Sequence, residues 1–88
     1  MSENETTENK RKRLIFRSEH RGMKEMDFIM GSFARKFVPD FSEEDLNLYD
    51  EILKENDPNL YNWVTGKEDI PANVSNHVFE KLKAHKLV

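Results

Sequence analysis

Arg21, Gly22, Glu25 and Asp27 stand within seven consecutive residues, bringing a guanidinium, a bare backbone and two carboxylates together. An arginine fork matches carboxylates and carbonyls in two-point contacts, and an ionised glutamate accepts from cations or amides. That chemistry recognises another surface; it does not make or break covalent bonds. The rest of the chain supplies no reactive centre. Its three histidines, His20, His77 and His85, form no H-x-x-x-H pair, and the absence of cysteine leaves no thiolate to complete a zinc shell. They read as surface histidines. The acids between Glu43 and Asp57 lack the rhythm of a calcium loop and read as a solvated helix face. No serine lies in a G-x-S-x-G elbow. Only three glycines are present, at positions 22, 31 and 66, so neither a dinucleotide fingerprint nor a phosphate loop can be written. The expectation is a protein that is not an enzyme and holds no metal and no tightly bound cofactor.

The elements that position this grouping follow from the apolar spacing, which is helical throughout; no stretch alternates as a half-buried strand would. Residues 1–9 are acidic and without periodicity, and predict a disordered tail; residues 10–88 predict one helical domain. The first helix is expected over Lys10–His20 with Leu14, Ile15 and Phe16 as its apolar content, stopped by Gly22 in a left-handed conformation. The second, Met23–Phe37, carries Met23, Met26, Met30, Phe33 and Phe37 at spacings of three and four, and Pro39 marks its end. Ser42 is placed to cap a third helix, with Asp45 completing a capping box and Leu46, Tyr49, Ile52 and Leu53 as its buried stripe. Asp57 followed by Pro58 predicts a cap and first turn for a fourth helix, Pro58–Thr65, ended by Gly66. A fifth, Ala72–Lys86, turns Val74, Val78, Phe79 and Leu82 inward. The fold class is therefore all-α, a small five-helix bundle in a single domain.

Composition sets the bounds of this reading. Eighty-eight residues with 36% hydrophobic and 35% charged content suffice for one compact core, helped by six Phe, two Tyr and one Trp. No apolar run is long enough to span a membrane. The net charge of -3 hides a strong partition. Residues 10–37 hold nine bases against three acids, net +6, and residues 38–70 hold two bases against ten acids, net -8. Such a chain steers protein partners as readily as nucleic acid. The basic run Lys10–Arg13, continued by Arg17 and Arg21, has the look of a nucleic-acid footprint, but the protein is acidic overall and no recognition helix stands out. The opening residues lack both a signal-peptide core and the basic character of a transit peptide. A bacterial cytoplasmic location is expected, or the mitochondrial matrix for a processed chain.

Stepping 100° per residue around the second helix separates two faces. Met23, Met26, Met30, Phe33 and Phe37 share one arc. Glu25 falls opposite, flanked by Phe28 and Ile29, with Arg21 just before the helix. Two readings stand here. Apolar residues beside a carboxylate on the outer face make a docking patch; alternatively the helix is central, buried on both sides, with Glu25 paired to an arginine.

Arg21-Gly22-x-x-Glu25-x-Asp27 resembles the R-G-x-x-E motif of the succinate dehydrogenase flavinylation factor family, the SdhE-type FAD assembly factors. Asp57-Pro-Asn-Leu-Tyr-Asn-Trp63 looks like that family's second signature, and the two motifs occur in the family's order and spacing, over about residues 11 to 85. Departures are small: Glu19 and Met26 replace residues more common in relatives. The resemblance implies a small helical bundle, expected as a monomer, that binds the flavoprotein subunit of succinate dehydrogenase or fumarate reductase and promotes covalent attachment of FAD to a histidine of that subunit. FAD is then the client's cofactor. The partner-binding residues expected are Arg21, Gly22, Glu25, Asp27 and Arg17, together with Phe28 and Ile29 beside them. Asp27, nearer the core side of the wheel, has a second reading, in which it fixes the first helix through Arg17. Asp57 is expected as a cap and Trp63 as core. The family's other description, an antitoxin-like partner of a membrane toxin, predicts the same patch on a different client.

Overall fold

The computed structural model describes residues 5–86. Four of the five described helices begin where a short polar side chain can satisfy the first free amides; the one preceded by Met23 has no side-chain cap. Thr6 accepts from the Asn9 amide at 3.0 Å, Ser42 from Asp45 at 3.2 Å and Asn56 from Asn59 at 3.0 Å. Asn76 accepts from both Val78 and Phe79, at 2.9 and 3.0 Å. The resulting helices are α1 (Thr7–Glu19), α2 (Lys24–Phe37), α3 (Glu43–Leu53), α4 (Asp57–Val64) and α5 (His77–Lys86). A 3-10 turn, Val38–Asp40, carries Pro39 and closes α2. No strand occurs among the described residues, and the all-α five-helix architecture is the expected one.

Three boundaries differ from the sequence reading. α1 begins at Thr7, inside the segment expected as tail, because Thr6 supplies a cap that composition alone concealed; residues 1–4 lie outside the described part. α4 is capped by Asn56, which displaces Asp57 into the first turn and frees its carboxylate for other work. α5 starts at His77 and not Ala72. Val74 and Ser75 donate back to the Pro71 carbonyl at 2.9 and 3.0 Å, closing a turn before Asn76 starts the helix. Gly66 ends α4 as expected, at φ 83°, in the left-handed region that glycine enters without strain. The capping box at Ser42 is half formed: Asp45 turns away to meet His77 Nε2 at 2.6 Å.

The expected stripes converge on one core. Met26, Met30 and Phe33 of α2, Leu46, Tyr49, Ile52 and Leu53 of α3, Leu60, Trp63 and Val64 of α4, and Val78, Phe79 and Leu82 of α5 are all buried. Phe33 is the hub, with ring centroids 5.0 Å from Phe37, 5.4 Å from Tyr49 and 6.1 Å from Phe41. Trp63 packs edge-on to Phe79 at 6.4 Å, so its role is the core one expected. α1 contributes less: Leu14 and Ser18 are its buried residues, and Phe16, part of its apolar content, is 63% exposed. Polar contacts compensate. Ser18 Oγ donates to the Leu14 carbonyl at 2.7 Å and lies 2.6 Å from the Tyr49 hydroxyl, whose ionisation burial pushes well above the ordinary range. The radius of gyration, 12.3 Å, matches the roughly 12 Å expected of a compact domain of this length.

Candidate functional site

The turn between α1 and α2 is locked onto the junction of α3 and α4 by one arginine and two aspartates. Arg21 Nε donates to Asp57 Oδ1 at 2.7 Å. Its two terminal nitrogens donate to the Leu53 carbonyl at 2.9 Å and the Glu55 carbonyl at 2.8 Å. These carbonyls lie where α3 ends, so the guanidinium satisfies groups the helix leaves without amide partners and complements its dipole. Asp57, in the first turn of α4, complements the opposite pole. Its second oxygen accepts from the Met23 amide at 2.8 Å, while Asp27 accepts from the Arg21 amide. Arg21 and Asp57 side chains are each 8% exposed.

This geometry bears on three expectations. Arg21, expected to meet a partner, points inward, and each of its three guanidinium nitrogens donates to a group inside the chain and holds the turn. Gly22 does not adopt a left-handed conformation; among the described glycines only Gly66 does. A Cβ on Gly22 would stand 3.3 Å from Asp57 Oδ2, and the missing side chain makes room for the carboxylate to close on the next amide. Asp27 fixes the end of the first helix, but through the Arg21 backbone; Arg17 is exposed and makes no ion pair among the described residues.

The outer face of α2 answers the question that periodicity left open. Glu25 is exposed, with no ion pair or hydrogen-bond partner among the described residues, and Phe28 is 74% exposed. Ile29 is half-buried, its inner edge packed on the core. The helix is therefore not buried on both sides. Two grooves border the locked turn. One, of about 640 Å³, runs past Phe16, Arg17, His20, Gly22 and Pro58. The other, of about 400 Å³, lies between α2 and α4 and is walled by Lys24, Glu25, Phe28, Ile29, Tyr61 and Thr65. Sequence reasoning missed Tyr61 and Thr65 because their helix was judged by its inward residues alone; the spacing of four, which puts both on one helical face, was the available signal.

The other chemistries find no support in the geometry. Of the cations on α1, Lys10 is held by Asn47 and Glu43, Arg11 by the Phe41 carbonyl, and Arg13 by Glu5 and Asp50. Only Lys12 and Arg17 are left without such partners among the described residues, so the run offers few free cations. No three histidine, aspartate or glutamate side chains gather as a metal would require among those residues. No described helix is long and apolar enough to cross a membrane.

Comparison with known proteins points the same way as the motifs. Residues 12–86 match the family described as flavinator of succinate dehydrogenase. The chain is 36% identical over 84 residues to the mitochondrial succinate dehydrogenase assembly factor 2 of Drosophila grimshawi, covering 93% of this chain and 57% of that protein. The protein of that name in Scheffersomyces stipitis is 43% identical over 68 residues, covering 77% of this chain and 46% of the relative. In Dictyostelium discoideum the values are 33% over 75 residues, 85% and 53%. The chain thus spans about half the length of the curated relatives it matches.

Proposed function

The chain belongs to the flavinator of succinate dehydrogenase family, and on that premise we propose that it is an assembly factor which docks on the flavoprotein subunit of succinate dehydrogenase and promotes covalent attachment of its FAD. The observation that carries this reading is the pairing of a rigid inner turn with an outer face left unsatisfied. Arg21, Asp57 and Asp27 complete their bonding internally, whereas Glu25, Phe28 and Ile29 present a carboxylate and apolar surface to the outside. Such a face suits a protein partner, since apolar area drives association and a single acceptor sets orientation.

In this proposal the chain contributes no reacting atom and is not an enzyme. The bond forms between the flavin and a histidine of the client subunit, and FAD is the client's cofactor. The three glycines stand far apart in sequence, so no phosphate-cradling glycine loop can be written, which supports this reading. What the factor supplies is binding energy toward the client conformation in which attachment proceeds, an effect limited to its differential affinity for that conformation. It acts in the bacterial cytoplasm or the mitochondrial matrix, as a monomer.

The test is reconstitution. The purified flavoprotein subunit is incubated with FAD, with and without this protein, and covalent flavin is read as fluorescence in a denaturing gel. Faster accumulation in its presence is expected. An unchanged time course, with the factor in excess and folded, contradicts the proposal.

A further inference from the structure

Resting on the docking reading above, we propose that the client inserts an apolar side chain into the groove between α2 and α4, so that Tyr61 of the second sequence motif and Thr65 just beyond it belong to the same binding surface as Glu25 and Phe28. The locked turn explains why the two motifs act together. Asp57 opens α4 and is bonded both to the Arg21 side chain and to the Met23 amide, which fixes the start of α4 against the start of α2. One turn beyond Asp57, Tyr61 then faces the groove that Glu25, Phe28 and Ile29 wall from the other side.

Two observations favour this groove over its larger neighbour. Phe16, the exposed ring of the larger groove, already has a partner in His20, with ring centroids 4.2 Å apart; Phe28 has no ring partner among the described residues. The larger groove is lined by more charge: Arg21 and Asp57 are bonded within the chain, while Arg17 and Glu55 have no ion-pair partner among the described residues. The α2–α4 groove also carries an unpaired donor and acceptor among those residues, Lys24 and Glu25, but sets them beside an apolar floor of Phe28, Ile29 and Tyr61. One donor and one acceptor flanking an apolar slot fit a side chain of the client whose own neighbours offer an N–H or a cation to Glu25 and a carbonyl or carboxylate to Lys24. Lys67 stands 5.0 Å from the centre of the Tyr61 ring, holding the wall in place.

The experiment is a calorimetric titration of the flavoprotein subunit with the full chain and with Phe28→Ala, Tyr61→Ala and Phe16→Ala, each checked for its melting temperature. Phe28→Ala and Tyr61→Ala are expected to weaken binding about tenfold or more, as loss of a ring from a docked apolar slot does. Phe16→Ala should bind as the parent does. Tyr61 is half-buried, so a photo-crosslinking residue at position 28 provides a second readout that leaves Tyr61 in place; it should capture the subunit, and one at position 16 should not. If the parent binds but Phe28→Ala binds equally, or capture occurs from position 16 alone, the groove assignment is wrong while the docking function stands. If the parent does not bind the subunit at all, both fall.

Discussion

Within the R-G-x-x-E stretch the residues divide by duty. Arg21 and Gly22 build the turn; Glu25 faces out from it. Substitutions should separate the two duties. Glu25→Ala removes an exposed side chain without internal partners, a change that moves stability by about 0.5 kcal/mol or less. If Glu25 meets a desolvated group on the client, the same change costs roughly 2–5 kcal/mol of binding, or about thirtyfold and more in affinity. Asp57→Ala should do the reverse. It leaves a buried guanidinium and the Met23 amide without their acceptor, and breaking a buried pair in this way costs about 3–5 kcal/mol. Thermal melts check both: Asp57→Ala should melt far below the parent and Glu25→Ala close to it. Met30→Ala, a cavity at the core, should cost roughly 2–5 kcal/mol and serves as the reference for a purely structural loss.

At the scale of the elements, His85 is expected to make the attachment of α5 respond to pH. His85 lies edge-on to Phe33 and Phe37, at 5.8 and 5.9 Å, and its Nε2 is 2.9 Å from Ser32 Oγ. Burial, and secondarily the nearby Lys36 charge, hold its pKa below the ordinary histidine value. The folded state therefore favours the neutral ring. The stability this gives is present above the unfolded value of about 6.5 and is lost as pH falls from there to the lower folded pKa, below which it changes no further. Denaturation midpoints compared at pH 7.5 and 5.5 should drop more in the parent than in His85→Gln; an equal drop in both would place the pH response elsewhere. The stripes of α2 to α5 were legible in sequence because spacings of three and four leave one inward face. The boundaries were less so. Thr6 and Asn76 compete as caps with neighbours of similar chemistry, and Asn56 wins over Asp57 because only the aspartate can also reach Arg21. That long-range bond, 36 residues apart in sequence, has no local signature, and this is why Arg21 read as a docking residue.

At the scale of the molecule, polar bonding on the inside and unsatisfied groups on one outer face combine into a small rigid body that presents a surface. The helical wheel grouped Glu25, Phe28 and Ile29 on one face but left open whether that face was exposed or buried, and the groove needed the placement of α4 that only the folded chain supplies. The central claim is that this surface promotes flavin attachment by docking and contributes no chemistry. The most direct measurement is the initial rate of covalent flavin formation on the purified flavoprotein subunit, followed against the concentration of parent and of Glu25→Ala. A docking defect should displace the variant's curve to about thirtyfold higher concentration while leaving the plateau rate intact. A variant that matches the parent at limiting concentration, or one whose plateau collapses while its affinity for the subunit is unchanged, would contradict the account.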